Sequence, residues 1–217
     1  MDIFPRLGLT LLGYVLGSIP SGYMLVRLTT GQDVREIHSG RSGGTNAMRA
    51  AGAWVGALTG IFDGLKAYLA VQTAVYLLPG DAWVAALAPA AAVLGHNFSM
   101  FLVSRDKKGK LILGGGAGGA PVVGGSAGLW LPSLYFMLPM GLFFFYFVGY
   151  ASLTTLSDGV TAFLIFSIGA LTGSFPVEYG LYGVIAMFLL FWALRPNLKR
   201  LREGKERRHG FRGKKNQ

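Results

Sequence analysis

The stretch LWLPSLYFMLPMGLFFFYFVGY, residues 129–150, carries no charged side chain and sits inside a longer uncharged run from 111 to 157. A helix needs roughly 20 predominantly apolar residues to cross a bilayer, so this run has room for more than one crossing. The number of crossings decides the fold, and the flanking charges fix its parity. Before the run lie Arg105, Lys107, Lys108 and Lys110; after it the loop at 176–178 has no basic residue, and neither does the earlier connection at 79–81. Lys and Arg concentrate on the cytoplasmic side of membrane proteins, which puts Lys110 inside and Glu178 outside. The chain between them must cross an odd number of times. One crossing strands some 30 apolar residues, whereas three spans of about 16 to 18 fit if the polar segment 152–158, SLTTLSD, forms an internal turn.

Working outward, no charge lies between Arg6 and Arg27, between Asp81 and Arg105 or between Asp158 and Glu178, and the last apolar run ends at Arg195. The run from Arg49 to Asp81 is interrupted only by Asp63 and Lys66. The whole chain has 217 residues, 52% hydrophobic and 14% charged, with 33 glycines and no cysteine. Its mean hydropathy is +0.48. Soluble domains carry about 25% charged residues and about 7% glycine, so a soluble or disordered chain is excluded. The lack of cysteine rules out disulfides, thiolate zinc sites and a cysteine nucleophile. The first run is longer than a signal-peptide core and leads into a charged loop, not a cleavage site. The prediction is an all-α integral membrane protein of seven transmembrane helices, N-terminus external and C-terminus cytoplasmic. It forms a single polytopic domain over 1–217 with a basic cytoplasmic tail over 196–217. Together with Arg195 that tail holds ten of the twenty basic residues, against Glu203 and Glu206. Such polybasic ends set topology and meet anionic lipid.

Polar residues gather in four segments on the predicted inner side. The first, DVREIHSGRSGGTNAMR at 33–49, combines glycines that let backbone N–H groups converge with Arg35, Arg41 and Arg49, whose guanidinium groups suit phosphate. Thr45 or Asn46 is placed near the cap of the helix that follows. The plainer reading is a topological loop with a capped helix. Asp63 and Lys66, three apart, share one face of a membrane helix, where ionisable groups mark either function or a structural ion pair. The third segment joins Gly95-His96 to the basic cluster and to GGGAGGA at 114–120, a loop able to wrap phosphate beneath lysines. It lacks the Gly-Lys-Ser/Thr of a P-loop. Gly124, Gly125 and Gly128 read as helix-packing positions. The fourth segment is the basic tail, in which topology leaves Asn197 and Glu206 unexplained. No histidine or carboxylate cluster at ligand spacing is present, so no metal is expected. A short basic tail on a membrane bundle gives no reason to expect nucleic acid.

The order YVLGSIPSGY (14–23), Asp33-Val-Arg-Glu36, Ser39-Gly-x-x-Gly-x-Thr-Asn-x-x-Arg49, Asp63-x-x-Lys66, Gly95-His-x-Phe98, Tyr150-x-Ser-Leu153 and Arg195-x-Asn-x-Lys-Arg-Leu-x-x-Gly-x-Glu206 resembles the PlsY family. These are the bacterial membrane glycerol-3-phosphate acyltransferases that use acyl phosphate. The resemblance covers nearly the whole chain and implies seven helices in the bacterial inner membrane, with the motifs at the cytoplasmic face. It implies transfer of a fatty acyl group from acyl phosphate to the 1-hydroxyl of sn-glycerol 3-phosphate, without a cofactor. Matched motif by motif, Ser39, Asn46, Arg49, His96 and Ser152 are the catalytic candidates. Thr45, Lys108, Lys110, Gly115, Gly116, Gly118, Asn197, Arg200 and Glu206 are the substrate and phosphate binders.

Three positions depart from the family's pattern. Ala117 stands where its second motif has lysine, Leu194 where its third has histidine, and Arg41 where its first has asparagine. Lys107, Lys108 or Lys110 is expected to supply the missing charge. The His-x4-Asp chemistry of other glycerolipid acyltransferases is excluded, since the residues five past His38, His96 and His209 are Gly43, Phe101 and Lys214. A transporter or channel for an anionic small molecule, or a catalytically inactive lipid-binding relative, would use the same arginines and glycines.

Overall fold

A computed structural model of the chain describes residues 3–105 and 109–208. Within them the chain is almost wholly helical: α1 Ile3–Ser18, α2 Ser21–Thr30, α3 Gly44–Ala51, α4 Ala53–Leu77, α5 Ala82–Asn97, α6 Gly119–Leu129, α7 Leu134–Phe143, α8 Ala151–Leu171 and α9 Val177–Arg202. A short antiparallel hairpin, β1 Val103–Arg105 with β2 Leu111–Leu113, pairs Ser104 with Ile112. Its strand residues are all exposed.

The first apolar run is one span by composition but two helices in the fold. Pro20 supplies no backbone N–H, and the chain breaks at Ile19–Pro20 between α1 and α2. Four segments among the described residues are long and apolar enough to cross a membrane: 3–30, Leu131–Val148, Ala151–Leu171 and Val177–Arg202. The 16-residue α5 and 11-residue α6 are shorter, at about 24 and 16 Å for 1.5 Å per residue.

The core explains the composition. Val93 of α5, Val122 of α6, Met137 of α7, Phe166 of α8 and Tyr182 and Leu190 of α9 form one buried cluster. A second, made of Ala67, Ala70, Ala74, Val84, Ala88 and Ala92 with Leu9 and Leu16, packs α1 and α4 on α5 through small side chains. Apart from such interfaces helices would gain little by association in lipid, where the tails are as apolar as leucine. A Cβ on Gly124 would stand 1.9 Å from the Gly64 carbonyl oxygen, so α6 approaches α4 backbone to backbone. Large apolar side chains such as Leu11, Tyr76, Phe147, Leu171 and Phe188 point outward.

The segment 152–158 is not a turn. It lies inside α8, and the break falls earlier, in one π-type turn at Phe144–Val148 followed by Gly149 at φ 78°. The polar side chains fit a helix because they bond their own backbone: Thr154 Oγ1 donates to the Tyr150 carbonyl at 3.2 Å and Ser157 Oγ to that of Thr154 at 2.7 Å. The basic tail likewise begins as helix, since α9 runs to Arg202; residues 209–217 lie outside the described part.

Candidate active site

The loop from 33 to 43 is built around two side chains. Asp33 accepts from the Arg35 backbone N–H at 2.9 Å and from its guanidinium, capping a 3₁₀ turn at Val34–Glu36. Those bonds hold the Asp33 carboxyl below its ordinary range. Asn46, buried in the first turn of α3, donates through Nδ2 to the carbonyls of Val34, Ile37 and Arg41 at 2.9–3.0 Å and accepts from the Ser39 N–H at 3.4 Å. Its amide is thus committed to the loop. The α3 cap position is Gly43, two residues ahead of Thr45.

This loop closes over a cavity of about 510 Å³. Ser39, Arg41, Thr45, Asn46 and Arg49 line one side, Asp63 and His96 the floor, and Ala117–Ala120 a second wall. Ser152, Thr155 and Asp158 of α8 and Leu194, Asn197 and Glu206 at the end of the chain complete it. A smaller cleft of about 190 Å³ adjoins it, lined by His38, Ser39, Arg49, Asn197, Arg200, Lys205, Glu206 and Arg207. Ser39, Arg49, Asn197 and Glu206 belong to both.

Charge is unevenly answered here. Glu206 accepts from Asn197 Nδ2 at 2.8 Å and from Arg200 Nε at 3.1 Å. The half-buried Arg49 has no hydrogen bond or ion pair to any described residue. His38 turns Nδ1 toward Arg207 at 2.6 Å. Partial burial, then the charges of Arg207 and Arg49, push its pKa down. Two hydroxyl and carboxylate groups face the cavity without a donor: Ser152 Oγ is buried and unpartnered, and Asp158 meets no hydrogen-bond donor among the described residues.

Arg41 crosses the site. It donates to the Gly116 carbonyl at 3.1 Å, to Asn197 Oδ1 at 3.3 Å and to the Ala193 carbonyl. Its targets in α9 lie on either side of Pro196. Proline offers no N–H to the Trp192 carbonyl, and Arg195 Nε supplies that donor at 3.2 Å. Arg41 therefore ends beside Ala117 and Leu194, two of the positions where the sequence departs from the family pattern.

The remaining predicted binders are spread out. Gly118 lines the cavity, but Gly115 and Gly116 lie behind it, against α5: the Gly116 N–H donates to the His96 carbonyl at 2.9 Å, and a Cβ on Gly116 would stand 1.9 Å from His96 Nε2. Lys110 is exposed at the hairpin and does not line the cavity. The hairpin carries it off the wall, so of the three lysines expected to supply the charge, Lys110 is not brought to the site. Lys107 and Lys108 lie outside the described residues. Arg41, Thr155 and Asp158 are wall residues that motif matching did not select. For the two on α8 the signal is the set Ser152, Thr154, Thr155 and Asp158 taken at helical spacing instead of as a turn; Arg41 stands out in the sequence as a guanidinium beside the glycines of its loop.

A family model described as glycerol-3-phosphate acyltransferase matches residues 7–204. The chain is 35% identical over 206 residues to a glycerol-3-phosphate acyltransferase of Thermus thermophilus, covering 93% of this chain and 94% of that one. It is 36% identical over 204 residues to the enzyme of the same name from Rubrobacter xylanophilus, covering 94% and 95%. Among solved structures, PlsY, an integral membrane glycerol 3-phosphate acyltransferase in its glycerol 3-phosphate form, superposes with a TM-score of 0.82 at 29% identity, over 98% of this chain and 100% of that one. Its lysophosphatidic acid form gives 0.79 at 28% identity over the same shares. With its helices, its cavity and its motifs in this order, the chain belongs to the glycerol-3-phosphate acyltransferase family, that of PlsY.

Proposed function

We propose that the protein transfers a fatty acyl group from acyl phosphate to the 1-hydroxyl of sn-glycerol 3-phosphate, giving lysophosphatidate and inorganic phosphate, the first step of phospholipid synthesis. The observation that carries this is Arg49: a guanidinium on the wall shared by a large cavity and a basic cleft, with no carboxylate among the described residues paired to it. A cation so placed is answered by an anionic ligand, and two adjoining compartments suit two phosphate-bearing substrates. The larger compartment takes the acyl phosphate, and the cleft with Arg200, Lys205 and Arg207 takes the phosphate of the acceptor.

The chemistry asks for little else. The acceptor hydroxyl oxygen bonds to the acyl carbonyl carbon, the bond from that carbon to the phosphate oxygen breaks, and the hydroxyl proton passes to the departing phosphate. An acyl phosphate is a mixed anhydride with a good leaving group, so no strong protein base is required. Fixed donors matter more, because each one aimed at developing charge is worth about 10²–10³ in rate. Arg49, Ser152 and His96 fill that role, with Ser39, Thr45 and Gly118 on the same walls. Asn46 and Arg41, whose donors are spent on the protein, act as positioning residues.

We read the topology as seven crossings, namely α1 with α2, α4, α5, α6, α7 with its π turn, α8 and α9. This places the N-terminus outside the bacterial inner membrane and the site and basic tail at its cytoplasmic face, among membrane lipid. The short α6 supports it: non-helical backbone at membrane depth is tolerated where it lines a cavity, as Ala117 and Gly118 do. The test is the purified chain in detergent with palmitoyl phosphate and radiolabelled glycerol 3-phosphate. Labelled lysophosphatidate and inorganic phosphate in equal amounts are expected. No product with acyl phosphate, acyl-CoA or acyl carrier protein as donor would overturn the proposal.

A further inference from the structure

Beneath the cavity lies a buried cluster of Asp63, Lys66 and His96, of which the acyl transfer as described uses only His96. Lys66 Nζ donates to Asp63 Oδ1 at 2.8 Å and to the Ile19 carbonyl at the α1–α2 break at 2.9 Å, and stands 3.1 Å from His96 Nδ1. An ammonium group has three protons to donate and no lone pair to accept with. Its three neighbours therefore match its three protons, and Nδ1 of His96 must be the acceptor. Asp63 Oδ1 also approaches Nδ1, but at 3.5 Å it is the more distant partner. A neutral imidazole whose Nδ1 accepts carries its proton on Nε2. That nitrogen sits over the Cα of Gly116, where any Cβ would fall 1.9 Å from it. His96 lines the cavity, and no described residue accepts a hydrogen bond from Nε2.

We infer that Lys66 holds His96 as the neutral Nε2–H tautomer, so that the imidazole serves the reaction as a hydrogen-bond donor to a substrate oxygen, not as a base. Lys66 is the positioning residue and His96 the group that meets substrate. A base at this place would need a bare Nε2, which the ammonium group forbids. The inference rests on the acyltransferase reading for the identity of that oxygen, a phosphoryl or acyl carbonyl oxygen, and on the cluster alone for the tautomer. The charges that act on the ring are Asp63 and Lys66 of α4 and Arg41 of the first loop; the glycine loop packed over it has no titratable side chain.

The test uses the full chain in detergent with its histidine rings labelled with ¹⁵N, His96→Gln identifying the signal. The parent should show a protonated Nε2 and a bare Nδ1 at neutral pH. In Lys66→Met the proton should move to Nδ1, toward Asp63, leaving Nε2 bare, and kcat should fall roughly 10- to 100-fold with the KM for glycerol 3-phosphate little changed. Part of that rate should return in acid, because the imidazolium regains its Nε2–H. A merely structural role for Lys66 produces no such recovery. A proton on Nδ1 in the parent, an unmoved tautomer in Lys66→Met, or a loss that acid does not reverse overturns the inference. If Lys66→Met does not fold, Asp63→Asn decides, since it keeps Lys66 and its bond to His96: Nε2–H must persist, and a proton on Nδ1 sinks the idea. Should the parent make no lysophosphatidate, the acyltransferase reading fails alone, and the nitrogen spectrum still settles the tautomer.

Discussion

Arg49 and Gly116 show two ways in which a single residue can matter. Arg49 bonds to no described residue, so Arg49→Ala should lower turnover by about 10²–10³ while the melting temperature in detergent stays nearly unchanged. A large loss of stability would instead mean that the guanidinium folds the loop. Gly116 bonds only through its backbone, and its missing side chain leaves room for His96. Gly116→Ala should displace the ring and abolish activity even though the residue does not line the cavity, whereas activity close to that of the parent would show that the ring can move aside. The roles were unequally legible at this scale. The family resemblance, matched motif by motif, brings Ser39, Arg49, His96, Ser152 and Asn197 to one list, and the fold gathers them around one cavity. Lys110 went astray because nothing in a basic run reveals a hairpin that turns it outward, and Asn46 because a sequence does not say that an amide is already used by three carbonyls.

Among the elements, α5 depends on the residue that caps it. Asp81 accepts from the N–H groups of Trp83 at 3.1 Å and Val84 at 3.3 Å, and from Arg6 Nε at 2.6 Å. Burial opposes its ionisation, but the bonds from Arg6 and the backbone outweigh that and hold its carboxyl below the ordinary range. A carboxyl depressed on folding stabilises the fold above its unfolded pKa of about 3.9 and ceases to do so as the pH falls through the folded value. Asp81→Asn keeps a cap but loses the charge, so it should destabilise by about 1.5–3 kcal/mol at neutral pH. The gap between the two proteins in thermal melts should close below about pH 4. An unchanged gap in acid would show that the charge of Asp81 is not what matters. Arg41 makes a comparable claim for the loop, the glycine segment and the end of α9. Arg41→Asn should reduce both activity and stability, and adding Ala117→Lys should restore part of the activity; no recovery would mean that Arg41 does not stand in for a lysine at 117. The misplacement of the 152–158 turn has a physical cause at this level. Hydroxyls that break helices in water are satisfied inside one when they bond the preceding turn, and a polar face that lines a cavity mimics a loop in hydropathy.

For the molecule as a whole, charge parity leads to an expectation of seven crossings; the described residues are almost wholly helical, and four of their segments are long and apolar enough to cross a membrane, with α4, α5 and α6 not among them. What charge could not show was the break at Pro20 or the small-residue packing of α1, α4 and α5, because neither leaves a trace in net hydrophobicity. Orientation is open to direct measurement, since the chain contains no cysteine. Ser174→Cys should react with an impermeant maleimide from outside intact cells, and Lys205→Cys only after the inner membrane is breached. The reverse pattern would invert the proposed topology. The cross-brace made by Arg41 adds a consequence in time. Its loop leaves the ribosome early, but its acceptors at Gly116, Ala193 and Asn197 come from the middle and the far end of the chain. Residues 33–49 must therefore wait, already synthesised, until the last helix has been inserted, and a nascent protein halted before Asn197 should have Arg41 and Arg49 in place in the sequence and no functioning enzyme.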